Sequence, residues 1–329
     1  MGEFELLAKL RERLPKDGPK VKLGSGDDAA VTVPGGATAT SVDAIIEGVH
    51  FRRGETDLRT VGRKALATAL SDLAAMGAEA GEAYVVLGAP ADLSEGDFLA
   101  LLDGLLELAA ETGTTLAGGD VTRAPALTLA VTVVGHAATA EGFVTRAGAK
   151  PGDLLVLTGE IGGAAAGRLL LEHADLAAAV PEATAARLRE RQLDPLPRLR
   201  SGHALAGAGA GAMIDLSDGL AGDAGHLAGA SGVALEIDAG TLPLAKGVAE
   251  VAAAAGREPL ELAVSGGEDY ELLAALPADR LAEASSAIGE AAETTLTPVG
   301  RVAAGEGVEI RLPAGGRLEA KGFDHLAEP

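Results

Sequence analysis

Cysteine is absent from the 329-residue chain. That removes disulfides, thiolate nucleophiles and cysteine-held zinc or iron–sulfur centres from consideration. Tryptophan is absent too, and aromatic residues make up 2% of the sequence, too few rings for a stacking platform for single-stranded nucleic acid. The core must therefore be Ala, Val and Leu, brought close by 46 glycines. No apolar run is long enough to span a bilayer, because the Ala/Leu-rich stretches carry Arg, Glu or Asp at helical spacing. The opening Met1-Gly2-Glu3-Phe4-Glu5 is acidic, unlike a basic-apolar leader. No G-x-x-x-x-G-K-[ST] occurs, so there is no P-loop. The expectation is a soluble cytoplasmic protein with no nucleic-acid or membrane partner.

What is present is apolar and acidic. At 47% hydrophobic the chain is no disordered segment, and its length suffices for two domains with their own cores. A net charge of −21 repels a nucleic-acid backbone over most of the surface, and much of the excess serves solubility. Such a surface still takes a polyanionic nucleotide where divalent cations bridge the two.

Periodicity predicts an amphipathic helix over 3–14 and a strand from Ala37 to Val42 ending in Ser41-Val42-Asp43. A long helix from about Thr60 to Met76 carries Ser71-Asp72, and Tyr84 to Leu87 reads as a strand. Ser94 to Thr112 is a helix with Ser94 as N-cap, Asp97 in its first turn and Gly113 as its stop. Thr115-Leu116-Ala117 leads into Gly118-Gly119-Asp120, and Leu127 to Val134 is a strand. A boundary falls near Ala137 to Glu141, dividing a domain 1–138 from a domain 139–329. Beyond it, strands at Leu154–Leu157 and Val233–Ile237 mix with helices after Gly163, after Gly219 and over 246–255. Pro181 to Arg200 reads as a helix followed by a loop over the surface, and Ala204 to Gly211 as a Gly/Ala-rich stretch. Without a clean β-α repeat, α+β fits better than a doubly wound sheet.

The chemistry-bearing residues are acidic groups in Gly/Ser/Thr-flanked segments read as turns: Asp27, Asp28, Asp43, Asp72, Asp120, Asp215, Asp218, Glu268 and Asp269. Gly24-Ser25-Gly26-Asp27-Asp28 fits a loose dinucleotide pattern. A strand rather than a helix follows it, and two carboxylates there would face a pyrophosphate. Each acidic segment taken alone is an ordinary turn. Together they resemble dispersed ligands for several Mg²⁺ ions, each held by one or two carboxylates with substrate phosphates. Several cations and phosphates point to phosphoryl transfer, which needs alignment more than a protein nucleophile. Arg146 is the first candidate phosphate contact and Arg123 the second; either is otherwise a solvated or capping arginine. Gly162-Gly163 before a helix offers amides to an anion, or else serves tight packing. His50 is either a phosphate donor or a structural histidine. Ser71-Asp72-Leu73-Ala74 echoes Ser217-Asp218-Gly219-Leu220, read as two capping pairs or a trace of duplication.

The ordered set GSGDDAAV, SVDAIIEGVHF, ALSDLAAMGA, GGDVTR, TRAGAKPGD, IDLSDGLAGDAGH, SGGEDYELL and KGFDHL, from about residue 3 to 326, resembles the thiamine-monophosphate kinases of the aminoimidazole-ribonucleotide-synthetase-like superfamily. The resemblance implies a two-domain α+β or α/β fold. Its N-terminal mixed sheet pairs across a homodimer, and its C-terminal α+β domain completes the nucleotide and substrate site. It also implies direct transfer of the ATP γ-phosphoryl group onto thiamine monophosphate with several Mg²⁺ ions. By motif position, Asp28, Ser41, Val42, Asp43, Asp72, Asp120, Asp215 and Asp218 are implied at metal sites. Gly119, Asp120, Arg146 and Ser217 are implied as ATP contacts, and His50, Glu268 and Phe323 as substrate contacts. Val42 stands where the family commonly has Thr, so a contact there uses its carbonyl; Ala69, Val121, Ala124 and Leu326 are further departures. None removes a carboxylate, and an active enzyme is expected. The alternatives are another ATP-dependent enzyme of the superfamily, a metal-dependent nucleotide-binding protein without kinase activity, or a metal-dependent phosphatase.

Overall fold

Small and β-branched residues alternate through the first half of the chain, and the strands they form pair into a four-stranded sheet. The structure, a computed structural model, describes residues 9, 12–14, 18–24, 29–292, 294–318 and 322. The chain divides into two units, Met1–Leu73 with Ala78–Phe143, and Ala74–Gly77 with Val144–Pro329. The helix expected over 3–14 falls largely outside the described residues.

In the first unit, β1 (Val21–Leu23) and β2 (Val31–Thr32) form an antiparallel ribbon. The strands β3 (Ala37–Ile46), β4 (Glu79–Ala89), β5 (Thr115–Arg123) and β6 (Thr128–Ala137) form the sheet in the order β3-β6-β4-β5. Its pairs are antiparallel except for β4 with β5. Helix α1 (Leu58–Ala75) lies against β6, where a Cβ on Gly135 would come within 3.0 Å of Leu73. Helix α2 (Glu95–Thr112) starts as expected: the Asp97 amide donates to Ser94 Oγ at 3.1 Å. It stops as expected too, with Gly113 left-handed at φ 72°. The two helices cross at a pair of glycines. A Cβ on Gly62 would lie 2.1 Å from the Leu101 carbonyl oxygen, and one on Gly104 1.9 Å from that of Arg59.

The second unit is built on a seven-stranded sheet. Its strands are β7 (Leu154–Thr158), β8 (Ala212–Asp215), β9 (Ala234–Asp238), β10 (Leu272–Leu276), β11 (Leu296–Ala303), β12 (Gly307–Arg311) and β13 (Arg317–Leu318). They run in the order β13-β12-β9-β11-β7-β10-β8, antiparallel apart from β9 with β12. The helices are α3 (Gly163–Glu172), α4 (Ala174–Ala179), α5 (Glu182–Leu193), α6 (Leu199–Gly207), α7 (Leu220–Ser231), α8 (Val248–Ala255), α9 (Pro259–Ser265) and α10 (Leu281–Ala292). Strand β10 is apolar at every position, and β7 at every position but Thr158, because both sheet faces are covered there. Leu155, Leu157 and Leu273 meet Leu220 and Leu227 of α7 on one face. Val156, Leu272 and Ala274 share the other core with Leu205 of α6 and Ile288 of α10.

The mixed α+β reading holds, and one local reading is corrected. Asp43 lies in the strand and Asp72 in the helix expected around them, but Asp120 and Asp215 lie within strands rather than in turns. Ladder pairing overrides the turn preference of Gly and Asp there. As expected, Pro181 to Arg200 holds a helix, α5, followed by a loop; Leu196 there is 53% exposed, while Arg198 turns inward onto Glu271. The Gly/Ala-rich stretch begins within α6; earlier in that helix, Gly202 has no room for a Cβ against the Ala74 carbonyl, 2.0 Å away.

Candidate functional site

In the first unit, strand alternation sorts the candidate residues by face. Ser41 and Asp43 pair with the buried Val133 and Val131 on the helix-covered side, while Val42 points the other way, 65% exposed. Asp72 projects from the last turns of α1, and Ser41 Oγ donates to its Oδ2. Ser71-Asp72 is therefore no cap, which overturns the capping reading of that pair. Asp43 Oδ1 accepts the Ala44 amide at 2.7 Å. Asp120 pairs in register with Val86, on the face of Val42 rather than that of Asp43. Gly119 answers to packing, since a Cβ there would lie 2.0 Å from the Val85 carbonyl oxygen. Beside Gly119 and Asp120 is a cavity of about 80 Å³ walled by Val85, Leu87, Leu101, Leu102, Leu105 and Leu116.

After β3 the chain turns at Gly48, φ 86°, and presents His50. The Ile46 amide donates to His50 Nδ1 at 3.1 Å. A ring nitrogen that accepts carries no proton, so the neutral imidazole keeps its N–H on Nε2. Glu47 fastens this loop, accepting from Arg53 Nε at 2.7 Å and from the Leu127 amide at 3.2 Å. Lys64, 1% exposed on α1, lies 3.5 Å from the His50 carbonyl oxygen. The sequence reading passed over both residues. A lysine on the apolar side of a helix was the available signal for Lys64.

In the second unit, Asp215 ends β8, and Ser217-Asp218-Gly219 leads into α7. Asp218 does not cap that helix through its side chain; instead its amide donates to Asp223 Oδ2 at 3.1 Å. Asp223, 2% exposed, escaped the sequence reading. Burial pushes its carboxyl up to about 8, the neighbouring Asp215 and Asp218 add to the rise, and Arg146 opposes it. Arg146, Asp215, Asp218 and Asp223 thus share one electrostatic neighbourhood.

The Ser265–Leu273 stretch interlocks with this acidic loop. The Glu268 amide donates to the Ser217 carbonyl at 2.8 Å, and the Tyr270 amide to that of Leu216 at 2.9 Å. A Cβ on Gly267 would lie 2.3 Å from the Ser217 carbonyl oxygen, and one on Gly219 2.9 Å from that of Gly266, so each motif needs its glycine. Glu268 and Tyr270 hold left-handed backbone at φ 67° and 50°, strain of the kind that functional segments carry. Gln192 of α5 donates from Nε2 to Glu268 Oε2. Asp269 is structural: its Oδ2 accepts the Gly162 amide at 2.7 Å and its Oδ1 that of Ala164 at 3.1 Å. The start of α3, read as a possible anion site, is therefore closed by a carboxylate of the chain itself. Glu271, 0% exposed, accepts from Arg198 Nε at 2.7 Å and from Thr158 Oγ1 at 2.7 Å.

The family model for "AIR synthase related protein, N-terminal domain" matches residues 26–137, and that for "AIR synthase related protein, C-terminal domain" matches residues 150–313. Thiamine-monophosphate kinase of Escherichia coli (strain K12) is 37% identical over 333 residues, covering 100% of this chain and 99% of that one. The chain belongs to the thiamine-monophosphate kinase family. A crystal structure of thiamine-monophosphate kinase from Stenotrophomonas maltophilia K279a is similar at TM-score 0.81 and 38% identity, covering 94% of this chain and 96% of that one. A structure of AaThiL complexed with AMPPCP and TMP reaches TM-score 0.77 at 29% identity, covering 99% and 97%. Both structures share the fold of this chain. Asp28 and Phe323, two residues that the family resemblance implies, lie outside the described residues.

Among the described residues no group of three or more His, Asp or Glu is arranged to hold a metal ion by itself. The donor set nonetheless fits a cation completed by substrate oxygens. Burial, with Asp215 and Asp218 beside it, holds Asp223 largely protonated, and Arg146 is an opposing charge. A bound cation relieves that excess of negative charge.

Proposed function

We propose that the chain phosphorylates thiamine monophosphate to thiamine diphosphate at the expense of ATP. The observation that carries this reading is the likeness, over 99% of the chain, to a protein solved with AMPPCP and TMP. A terminal phosphate oxygen of the acceptor attacks the γ-phosphorus in line. The bond from that phosphorus to the β,γ-bridging oxygen breaks, and ADP leaves. No protein nucleophile takes part. Arg146 and the backbone beside Gly119, Asp120 and Ser217 bind the nucleotide, and the apolar cavity beside Gly119 suits a nucleobase. His50 offers its Nε2–H to an acceptor phosphate, and Glu268 with Phe323 receives the thiamine portion. Asp28, Ser41, the Val42 carbonyl, Asp43, Asp72, Asp120, Asp215 and Asp218 are the proposed holders of several Mg²⁺ ions. When bound, these neutralise the transferring phosphates.

The same reading divides labour between residues 1–138, for nucleotide, metal and dimer contacts, and residues 139–329, which complete the site. It takes the enzyme to be a cytoplasmic homodimer. Val42 and Val86, 65% and 45% exposed on the open face of the four-stranded sheet, support pairing there. No helix among the described residues is long and apolar enough to cross a membrane. The test is to incubate the purified chain with ATP, Mg²⁺ and thiamine monophosphate. ADP and thiamine diphosphate should appear in equal amounts, and EDTA should abolish both. Absence of thiamine diphosphate with Mg²⁺ present would overturn the proposal.

A further inference from the structure

The loop that carries Arg146 has little packing to hold it, since Thr145 through Gly148 are all exposed. Its ends are anchored. The Met213 amide donates to the Thr145 carbonyl at 3.0 Å, and Ala149 is buried in the core with Leu155 and α7. Within the loop, Thr145 Oγ1 donates to the Ala147 carbonyl at 2.9 Å. Gly148 takes φ 124°, and a Cβ there would lie 2.5 Å from the Gly211 carbonyl oxygen. Among the described residues, one hydroxyl supplies the side-chain hydrogen bonds that reach residues 146–149 from outside the loop. The Gly148 and Ala149 amides each donate to Ser231 Oγ at 3.2 Å, and Ser231 Oγ donates to the Arg146 carbonyl at 2.8 Å.

We infer that Ser231 is a positioning residue for Arg146, an inference that rests on reading Arg146 as a nucleotide phosphate contact. A hydroxyl has one proton and two lone pairs, and Ser231 directs all three at this loop. A serine at a helix end ordinarily bonds back to its own helix. Here the bonds run to a segment more than 80 residues earlier in the chain. Ser231 also ends the helix whose first turn carries Asp223, so α7 steadies the acidic loop at its start and the arginine loop at its end. Arginine loses much rotamer freedom when it binds, and a backbone already held leaves less to be ordered. The deduced role is pre-organisation of a charge, without contact to the reacting atoms.

The experiment compares Ser231→Ala, Ser231→Cys, Ser231→Thr and Arg146→Ala with the unaltered protein. It reads KM for ATP and for thiamine monophosphate, the affinity for AMPPCP with Mg²⁺ by calorimetry, and amide exchange at Gly148 and Ala149. Cysteine keeps the shape while weakening the acceptor, which covers the case of a poorly folding alanine variant. Ser231→Ala and Ser231→Cys should weaken AMPPCP and raise KM for ATP roughly tenfold, with KM for thiamine monophosphate unchanged. Exchange at both amides should quicken, and Ser231→Thr should restore wild-type values. If Arg146→Ala weakens AMPPCP and the alanine and cysteine variants do not, the positioning role is overturned while the reading of Arg146 stands. If Arg146→Ala leaves AMPPCP affinity unchanged, the reading of Arg146 is wrong and the inference goes with it. Equal loss of affinity for both substrates, tracking a lower melting temperature, would mark Ser231 as merely structural and also overturn the role.

Discussion

Asp269 shows how a single residue can look functional and act structurally. It adjoins Glu268 in an acidic, glycine-flanked stretch, yet its two oxygens close the amide end of α3. Desolvation pushes its carboxyl from the ordinary 3.8 up to about 7, against the pull of the Gly162 and Ala164 amides. The folded protein thus keeps a proton that the unfolded chain releases. The stability contributed by that protonated carboxyl is fully present below about pH 3.8 and is lost as pH rises through about 7. Asp269→Asn removes the titration and keeps one acceptor oxygen. The melting temperature of the wild type relative to this variant should therefore fall between pH 4 and 8, by the equivalent of a few kcal/mol. A pH-independent difference between the two would dismiss the account.

At the scale of elements, β10 and α6 begin on either side of a buried ion pair. Glu271 at the head of β10 meets Arg198 just before α6, and Thr158 of β7 completes the carboxylate's bonding. Glu271 directly follows the strained Glu268–Tyr270 segment. Breaking one partner of a buried pair costs more than the intact pair contributes, because the remaining charge is stranded. Glu271→Gln should lower unfolding free energy by about 3–5 kcal/mol in urea titrations. The apolar double variant Glu271→Leu with Arg198→Met should lose less than either single change. A near-neutral Glu271→Gln would mean that water reaches the guanidinium.

For the whole molecule, the acidic balance and the open sheet face make separate demands. A net charge of −21 keeps copies apart, so any self-association has to be local and apolar. The face bearing Val42 and Val86 is the place proposed for it. Val42→Arg leaves the backbone carbonyl at that position intact while placing a charge in the patch. It should halve the mass measured by sedimentation without altering the circular dichroism spectrum. An unchanged mass would move the interface elsewhere or remove it.

The sequence alone determined the mixed α+β architecture, most element positions and the family. Ser94 and Gly113 marked both ends of α2 because capping is a local interaction, decided within four residues. Motif order across the chain carried the family, since no single motif did. Tertiary structure alone decided which acidic residues face one another. Ser41 and Asp43 share a face that Asp120 does not, which follows from strand register rather than from local propensity. Asp223, Gln192, Arg198 and Ser231 went unread because their partners lie between 5 and 85 residues away. A turn preference is set by near neighbours. The energy of a buried charge is set by whatever the fold brings beside it, and the Asp269 carboxylate found a helix end before it could meet a ligand.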